Sequence, residues 1–546
     1  MSIMALNLPS DVNQLHTLVA ELHKKKDNYE VENRLLRERI KQLTHQLYGR
    51  KSEKLLPDDE FEQSGLFDDS GDSGESNDAE PATVDEIITV PSHTRKKKGG
   101  RKILSESLPR IEIEHDIDES EKQCGCGCQM ERIGQEVSER LEMQPARFWV
   151  ERHIRPKYAC KNCEGVESTD GTVKIAPCPP QLLAKTISSP GLLSHILVGK
   201  FCDSLPFYRQ EKQFLRLGFA LTRGTMCNWA IKVAEKCKPI TDLLGQEILS
   251  GPLINIDETR IQVLKEPDKP PGSNSYMWVY RGGRPDNLGV LFRYNPSRGG
   301  SEVSEFLGGY RGSVQTDGFS AYDFLDTRDG IRHAACWAHV RRKFLEATGV
   351  KNVKNKRSLG GMGKAGKALQ WIRELYAIEK NAQQQGLGPD LLREERQRKS
   401  KPILIEFKEW LSALGPQIPP KTLLGKAFVY TQSQWHRLIK YLEDGNIKMD
   451  NNLAENAIRP FVVGRKNWLF ADVPDGAKAS ATLYSLIETA RTNGLEPYRY
   501  FCYLFDQLPV AQNEEQLKAL LPMNLTVDIL EAYQQEYQER SAIALR

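Results

Sequence analysis

Five short segments with the alternating pattern of β-strands begin at residue 253, and they constrain the fold more than any other feature of the chain. Short stretches rich in Gly, Pro and Asn separate the first three, LINIDETRIQV, SYMWVYRG and LGVLFRY, which predicts an antiparallel meander. The last two, GSVQTDGF and IRHAACWA, each follow a helical or loop segment that permits parallel pairing. Because 546 residues exceed what one core holds, we expect a multidomain α+β protein.

The predicted order β-β-β-α-β-α-β-α is that of a ribonuclease-H-like α/β core. In that fold the acid on the first strand lies beside the acid at the end of the fourth strand. Asp257 and Asp317 hold these two positions, so we expect them to share one metal ion. A third acid, Glu455, lies in a segment whose Asp-Asn-Asn start predicts a helix beginning near Asp450.

Three converging carboxylates suit a hard divalent cation. Mg²⁺ and Mn²⁺ prefer oxygen ligands, and such ions can stabilise both the attacking and the leaving oxygen of a phosphodiester. The candidate catalytic and metal-binding residues are therefore Asp257, Asp317 and Glu455, although any one acid alone could be a cap or a surface charge. For the two nearest rivals we expect an N-cap role for Asp450 and an outward strand face for Glu258, because alternation sends neighbouring side chains to opposite faces.

Several strings in the second half of the chain carry a family resemblance. In chain order they are NIDET, QTDGFSAYD, CWAHVRRKF, DGNIKMDNNLAENAIRP, GRKNWLF and SLIETARTNGLEPYRY. On these strings the chain resembles the DDE transposases of the bacterial insertion-sequence 66 family. The resemblance implies an enzyme that binds the terminal repeats of its element, cleaves there to release a 3′-hydroxyl, and joins that hydroxyl to target DNA.

Two other functions stay open on the sequence alone. A metal-dependent DNA nuclease would use the same carboxylates to cut without joining. A non-catalytic DNA-binding protein derived from a transposase would keep only the binding modules, although all three acids are present here. The resemblance also implies small accessory proteins, encoded by the same element, as partners.

The N-terminal segment carries a heptad repeat. Apolar side chains recur at every seventh position, at Leu15, Leu22, Tyr29, Leu36 and Leu43. Such a seam favours a coiled coil, and a helix that packs on its own protein is the alternative. The family has a leucine-zipper-like start, so we expect a homo-oligomer.

Two cysteine clusters predict a small zinc-binding module. The cluster CGCGC at 124–128 and the C-x-x-C pair at 160–163 can together close a tetrahedral Zn²⁺ site. Free thiols are the alternative. Alignment of the following MERIG with the family favours the second cysteine of CGCGC over the third, Cys128. The expected zinc ligands are Cys124, Cys126, Cys160 and Cys163.

The string FLRLGFALTRGTMCNW has the pattern of a helix, a turn and a second helix. Thr222 is the expected N-cap of that second helix. The pattern resembles a helix-turn-helix that reads DNA, and an ordinary helical hairpin has the same apolar spacing.

Cations surround the expected catalytic acids in the sequence. Backbone phosphates of bound DNA would favour them there, although cationic clusters are often only solvated surface. The candidate DNA-binding residues are His339, Arg341, Arg342, Lys343, Arg459, Arg465 and Lys466.

These features predict eight regions. No apolar run is long enough to span a bilayer and no signal peptide precedes the first region, so we expect a cytoplasmic protein that joins the nucleoid when it binds DNA. The expected regions are a coiled coil at 10–50, an acidic then basic disordered linker at 51–105, the zinc module at 106–175, the helix-turn-helix-like region at 180–245, the first part of the core at 250–345, a helical insertion at 346–440, the last part of the core at 441–505 and a helical tail at 506–546.

Overall fold

The structure is a computed structural model that describes residues 148–159, 173–349 and 363–544, two short strands before them and a few helical positions near the N-terminus. Most of the heptad segment and the four expected zinc ligands lie outside the described residues. The chain divides into two compact units, residues 67–176 and the remainder.

The smaller unit contains two antiparallel ribbons. Strand β1 (Ile87–Val90) pairs with β2 (His93–Lys96), and β3 (Lys157–Ala159) pairs with β4 (Val173–Ile175). Strand β3 ends one residue before the expected zinc ligand Cys160. The second cysteine cluster therefore follows a β-strand directly.

A five-stranded mixed sheet forms the centre of the larger unit. The strands are β5 (Leu253–Gln262), β6 (Asn274–Arg284), β7 (Asn287–Asn295), β8 (Gly312–Gln315) and β9 (Ile331–Ala334). Their order is β7-β6-β5-β8-β9; β5 to β7 are antiparallel, and β8 and β9 run parallel to β5. The predicted meander and the predicted parallel pairing are both confirmed.

Fourteen α-helices lie in the described part of the larger unit, and none of them is long and apolar enough to cross a membrane. Their bounds are α1 Pro190–Phe201, α2 Phe207–Arg216, α3 Arg223–Leu249, α4 Ser301–Leu307, α5 Trp337–Thr348, α6 Gly363–Gln384, α7 Pro389–Glu395, α8 Lys401–Leu414, α9 Leu423–Leu438, α10 Asn452–Trp468, α11 Pro474–Thr492, α12 Pro497–Gln507, α13 Glu514–Ala519 and α14 Val527–Ala544.

Helix α3 begins where the sequence predicted. The Thr222 hydroxyl accepts the N–H of Thr225 at 3.2 Å, so the predicted N-cap is confirmed. The helix then runs for 27 residues and contacts β6, β7 and α11 through buried side chains such as Trp229 and Val233. Most of α3 therefore supports the sheet, and DNA contact by its exposed first turn stays a prediction.

Helix α11 covers the free edge of β7. The Ser485 hydroxyl accepts the N–H of Phe292 at 2.7 Å. The Thr489 hydroxyl accepts the N–H of Val290 and donates to its carbonyl, both at 3.0 Å. These side chains satisfy backbone groups that an edge strand would otherwise leave open to another strand.

The predicted insertion forms helices α6 to α9, which pack on α5 around aromatic side chains. Phe407 of α8 contacts Trp337 and Phe344 of α5 and Trp435 of α9, with ring centroids 5.8–6.3 Å apart. Nearby, the N–H of Ala335, just after β9, donates to a carbonyl of α9. The insertion thus covers the end of the parallel half of the sheet.

A buried arginine fixes the insertion to the segment that precedes α10. Arg396, which has no exposed side-chain surface, lies in the π-helical turn between α7 and α8. Its Nε and Nη2 donate to both carboxylate oxygens of Glu379 on α6 at 2.8 and 2.7 Å. Its Nη1 donates to the carbonyls of Tyr441 and Asp444 at 2.7 and 3.0 Å. One guanidinium therefore joins three chain segments.

Replacing Arg396 with Met should lower the free energy of unfolding by roughly 3–5 kcal/mol, because Glu379 and two carbonyls would lose their donor in a buried site. Urea unfolding followed by tryptophan fluorescence measures the loss. Arg398→Met is the matched control, because its ion pair with Glu395 is exposed to solvent and should contribute little to the free energy of unfolding. Equal losses in the two variants would contradict this role of Arg396.

Candidate active site

The first two acids lie on β5 and just beyond the end of the neighbouring parallel strand β8. Asp257 is in β5, and Asp317 follows β8 by two residues. The β5–β8 pairing ends at Asn255 and Gln315, each two residues before its acid, and the charge of Asp317 acts on Asp257. The two acids therefore lie close enough to interact, as the sequence predicted.

The third acid approaches from α10. Glu455 lies in the first turn of that helix with its side chain 15% exposed, and its Oε1 is 3.8 Å from Nδ1 of His339 on α5. Its charge acts on both Asp257 and Asp317. In the described part of the chain, however, the potential metal ligands whose atoms lie within 4.8 Å of one another are Cys336, His339 and Glu455.

Each of the three acids has a raised pKa. Burial, followed by the charges of Glu258, Asp317 and Glu455, raises the pKa of Asp257 well above its usual range. Burial and the charge of Glu258 raise the pKa of Asp317 to about 6, although the N–H of Phe319 opposes the shift. Burial also raises the pKa of Glu455. Carboxylates crowded in this way would be stabilised by a bound cation.

Three buried amide side chains connect the segments that carry the acids. Asn255 Nδ2 donates to Gln315 Oε1 at 3.0 Å and to Asn451 Oδ1 at 2.9 Å. Asn451 Nδ2 donates to the carbonyl of Ile256 at 2.8 Å. Gln315 Nε2 donates to the carbonyl of Lys448 at 2.7 Å. We call Asn255, Gln315 and Asn451 the amide network; each is at most 1% exposed.

Each member of the amide network precedes one of the acids: two residues before Asp257, two before Asp317 and four before Glu455. This network was not among the features predicted from the sequence, although the sequence contains a signal for it. Strand alternation places Asn255 on the same face as Asp257, so an N-x-D string in a central strand already puts a buried amide beside the acid. The partner of that amide could not be read from the sequence.

The prediction of an outward-facing Glu258 is wrong, because its side chain is only 2% exposed. Arg298 donates to Glu258 Oε1 through Nε at 2.9 Å and Nη2 at 2.6 Å, and the Tyr322 hydroxyl donates to Oε2. Arg298 also lies 3.6 Å from the centre of the Phe319 ring, next to Asp317. Arg298 follows β7 and Tyr322 follows β8, and together they cover the strand face that alternation assigns to Glu258. The local sequence pattern did not reveal this cover.

The N-cap prediction for Asp450 is wrong by one position. Helix α10 begins at Asn452 and Asn451 stands at its N-cap, with the side chain of Asn451 used in the amide network. Asp450 nevertheless accepts the N–H of Asn452 at 3.2 Å, so its carboxylate does satisfy a backbone donor at the helix start. Glu455, the acidic residue in the first turn of α10, is therefore the acid of this segment that we assign to the candidate site.

Three of the candidate DNA-binding residues lie beside Glu455. The charges of Arg342 and Arg459 oppose the rise in its pKa. His339, with its side chain 18% exposed, faces Glu455, and burial followed by the charges of Arg342 and Lys343 lowers its pKa to about 3. The imidazole is therefore neutral at physiological pH.

The other candidate cations are more dispersed. Lys343 lies 4.7 Å from the centre of the Tyr430 ring. Arg465 donates to the backbone at Arg260 of β5, and Arg341 is partly buried. Lys466 is exposed. DNA contact by any of these side chains stays a prediction.

Replacing Asn451 with Leu should displace Glu455, because Asn255 Nδ2 and the carbonyl of Ile256 would each lose a partner in a buried site. We expect a loss of about 1–3 kcal/mol in unfolding free energy, measured by urea titration. Any reaction that depends on Glu455 should slow roughly 10- to 100-fold, because loss of a group that orients a metal ligand typically has an effect of this size. Asn456→Leu, at an exposed position of the same helix, is the control and should change neither quantity.

Family models match most of the chain. The model described as the Transposase IS66 family matches residues 185–479, and the IS66 C-terminal element matches residues 485–523. The zinc-finger binding domain of transposase IS66 matches residues 121–164, which include the four expected zinc ligands. A domain described as Transposase C of IS166 homeodomain matches residues 35–113.

Full-length relatives are found in Sinorhizobium fredii (strain NBRC 101917 / NGR234). Uncharacterized protein y4jD is 30% identical to this chain over 545 residues, which cover 97% of the chain and 99% of the relative. Uncharacterized protein y4qI is 29% identical over 97% of the chain and 100% of its own length. Uncharacterized protein y4hP is 28% identical over 84% of the chain and 83% of its own length.

Proposed function

The chain belongs to the IS66 family of transposases, and from that premise we propose that it is a DDE-type enzyme that cleaves the ends of its element and joins them to target DNA. The observation that carries the proposal is the placement of Asp257, Asp317 and Glu455. Asp257 lies on β5, Asp317 lies two residues beyond the neighbouring parallel strand β8, and Glu455 approaches from the first turn of α10.

The order and directions of the strands support a ribonuclease-H-like core. An antiparallel meander is followed by two strands that run parallel to β5, and β5 lies at the centre of the sheet. The β5–β8 ladder ends two residues before each of Asp257 and Asp317, and Asp257 itself pairs with Val279 of β6. Glu455 belongs to a helix that packs on β5 and β6.

The donor atoms suit Mg²⁺ or Mn²⁺. Asp257 and Asp317 offer oxygen ligands in a partly buried site, and the nearby cation Arg298 is already bonded to Glu258. When bound, such an ion neutralises the negative charge that develops on the reacting phosphate. The three acids would hold it, and the amide network would keep their relative positions.

Cations beside Glu455 would bind the DNA backbone. Arg342 and Arg459 act electrostatically on Glu455, so phosphates that approach this acid would also meet two guanidinium groups. The exposed Lys466 extends the basic surface along α10. We further propose that the matched zinc-finger domain binds element ends, that the N-terminal heptads bring copies of the chain together, and that accessory proteins of the element assist.

Asp257→Asn, Asp317→Asn and Glu455→Gln should each abolish Mg²⁺-dependent joining of a DNA with the element's ends to a target plasmid, because each change removes an anionic ligand. Binding of end DNA should persist. Gel analysis of the products distinguishes joining from cleavage.

The matched control is Asp475→Asn, an exposed acid of α11 that should leave joining unchanged. Full activity of any one of the three site variants would remove that residue from the site. Cleavage without joining by the wild type would instead identify a nuclease.

The double change Cys160→Ser and Cys163→Ser should remove about one zinc ion per chain and weaken the binding of end DNA, because a structural zinc site needs all its thiolates. Metal analysis and a DNA-binding titration measure these effects. Cys178→Ser replaces an exposed free cysteine and serves as the control. Unchanged zinc content in the double variant would overturn the zinc assignment.

A further inference from the structure

We propose that Cys336, His339 and Glu455 form a binding site for a thiophilic divalent cation such as Zn²⁺. This site uses none of the cysteines of the zinc-finger domain and neither Asp257 nor Asp317, and it shares Glu455 with the proposed Mg²⁺ site. It takes one sulfur, one nitrogen and one oxygen ligand from the chain, and a fourth position is left for water. It does not depend on the proposed transposase activity.

Two helix starts present these ligands to each other. Cys336 directly precedes α5 and His339 lies in its first turn, while Glu455 lies in the first turn of α10. The N–H of Trp337 donates to the carbonyl of Met449 at 2.9 Å, which ties the start of α5 to the segment before α10. The three side chains are therefore fixed by backbone contacts between the two segments.

The separations suit a tetrahedral cation. The three ligand atoms lie within 4.8 Å of one another, and His339 Nδ1 is 3.8 Å from Glu455 Oε1. Zinc bond lengths of about 2.0–2.3 Å imply ligand separations of roughly 3.3–3.6 Å in a tetrahedral site. A displacement of a few tenths of an ångström would close the distance between His339 and Glu455.

The sulfur lies against a backbone donor. Cys336 Sγ is fully buried and accepts the N–H of Asn451 at 3.2 Å. Burial and the charges of Glu455 and Asp450 raise the pKa of this thiol above its usual range. A divalent cation would displace the thiol proton on binding, and the N–H of Asn451 would then stabilise the thiolate.

The imidazole nitrogen that faces this sulfur and carboxylate has no hydrogen-bond partner among the residues that the structure describes. His339 Nδ1 is buried, and its 3.8 Å distance from Glu455 Oε1 is too long for a hydrogen bond. A buried polar atom without a partner costs about 1–3 kcal/mol, and a cation would supply the missing contact. The Cys336 thiolate and the Glu455 carboxylate together balance two positive charges.

A cation here would join α5 to α10 through Glu455. One carboxylate oxygen of Glu455 would be fixed beside His339, while its charge still acts on Asp257 and Asp317. The same residue would then belong to both sites, and the soft cation would set its position.

The first test is the zinc content of the purified full-length chain, measured by mass spectrometry. Cys336→Ala and His339→Gln should each lower it by about one ion per chain relative to the wild type. Cys237→Ala is the matched control, because Cys237 is equally buried but lies in α3. Circular dichroism identifies the variants that keep the wild-type fold. Unchanged zinc content in a folded Cys336→Ala and a folded His339→Gln variant would overturn the proposal.

The second test keeps Cys336 intact and removes the competing zinc-finger thiols. A variant in which those cysteines are replaced by Ser should still show a thiolate-to-cobalt absorption band when Co²⁺ is added, and the further change Cys336→Ala should abolish it. Absence of the band in the first variant would refute the site. The replaced residues are Cys124, Cys126, Cys128, Cys160 and Cys163. Neither measurement needs DNA, so loss of transposition and loss of this site are distinguishable.

Discussion

The amide network is the interaction on which the site depends. The Asn255 side chain donates to Gln315 and Asn451 at once, so one nitrogen atom joins β5, β8 and the segment that leads into α10. These segments meet only in the folded chain, because Asn451 follows Asn255 by 196 residues. Burying three amides is unfavourable unless they bond to one another, and here they do. The arrangement of the acids is therefore specified by residues that carry no charge.

Helices α6 to α9 also connect to this site, through Arg396. That guanidinium bonds to the carbonyls of Tyr441 and Asp444, which lie on the path from α9 to α10. Asp444 in turn accepts hydrogen bonds from Ser313 of β8 and Arg332 of β9. The position of Glu455 thus depends on helices that are remote from it in the sequence as well as on the sheet beneath it.

Local patterns predicted the elements, and contacts between distant segments supplied what those patterns could not. Period-two alternation was sufficient for β5 to β7, and Thr222 was sufficient for the start of α3. The proximity of Asp257 and Asp317 follows from the position of β5 beside β8, so it too was predictable. The burial of Glu258 was not, because it depends on Arg298, which follows β7, and on Tyr322, which lies in a 3-10 helix after β8. Arg396 appeared in the sequence as one cation of a basic tract, and only its distant partners explain its burial.

The edge of β7 has a consequence for the order of folding. The groups that cover it, Ser485 and Thr489 of α11, follow their partners on β7 by 193 and 199 residues. During synthesis the meander is therefore complete long before its edge is protected, and its backbone donors remain available to any other strand in that interval. A chain that ends before α11 would keep this open edge permanently. The edge of β7 is thus protected from pairing with another strand only after α11 has left the ribosome.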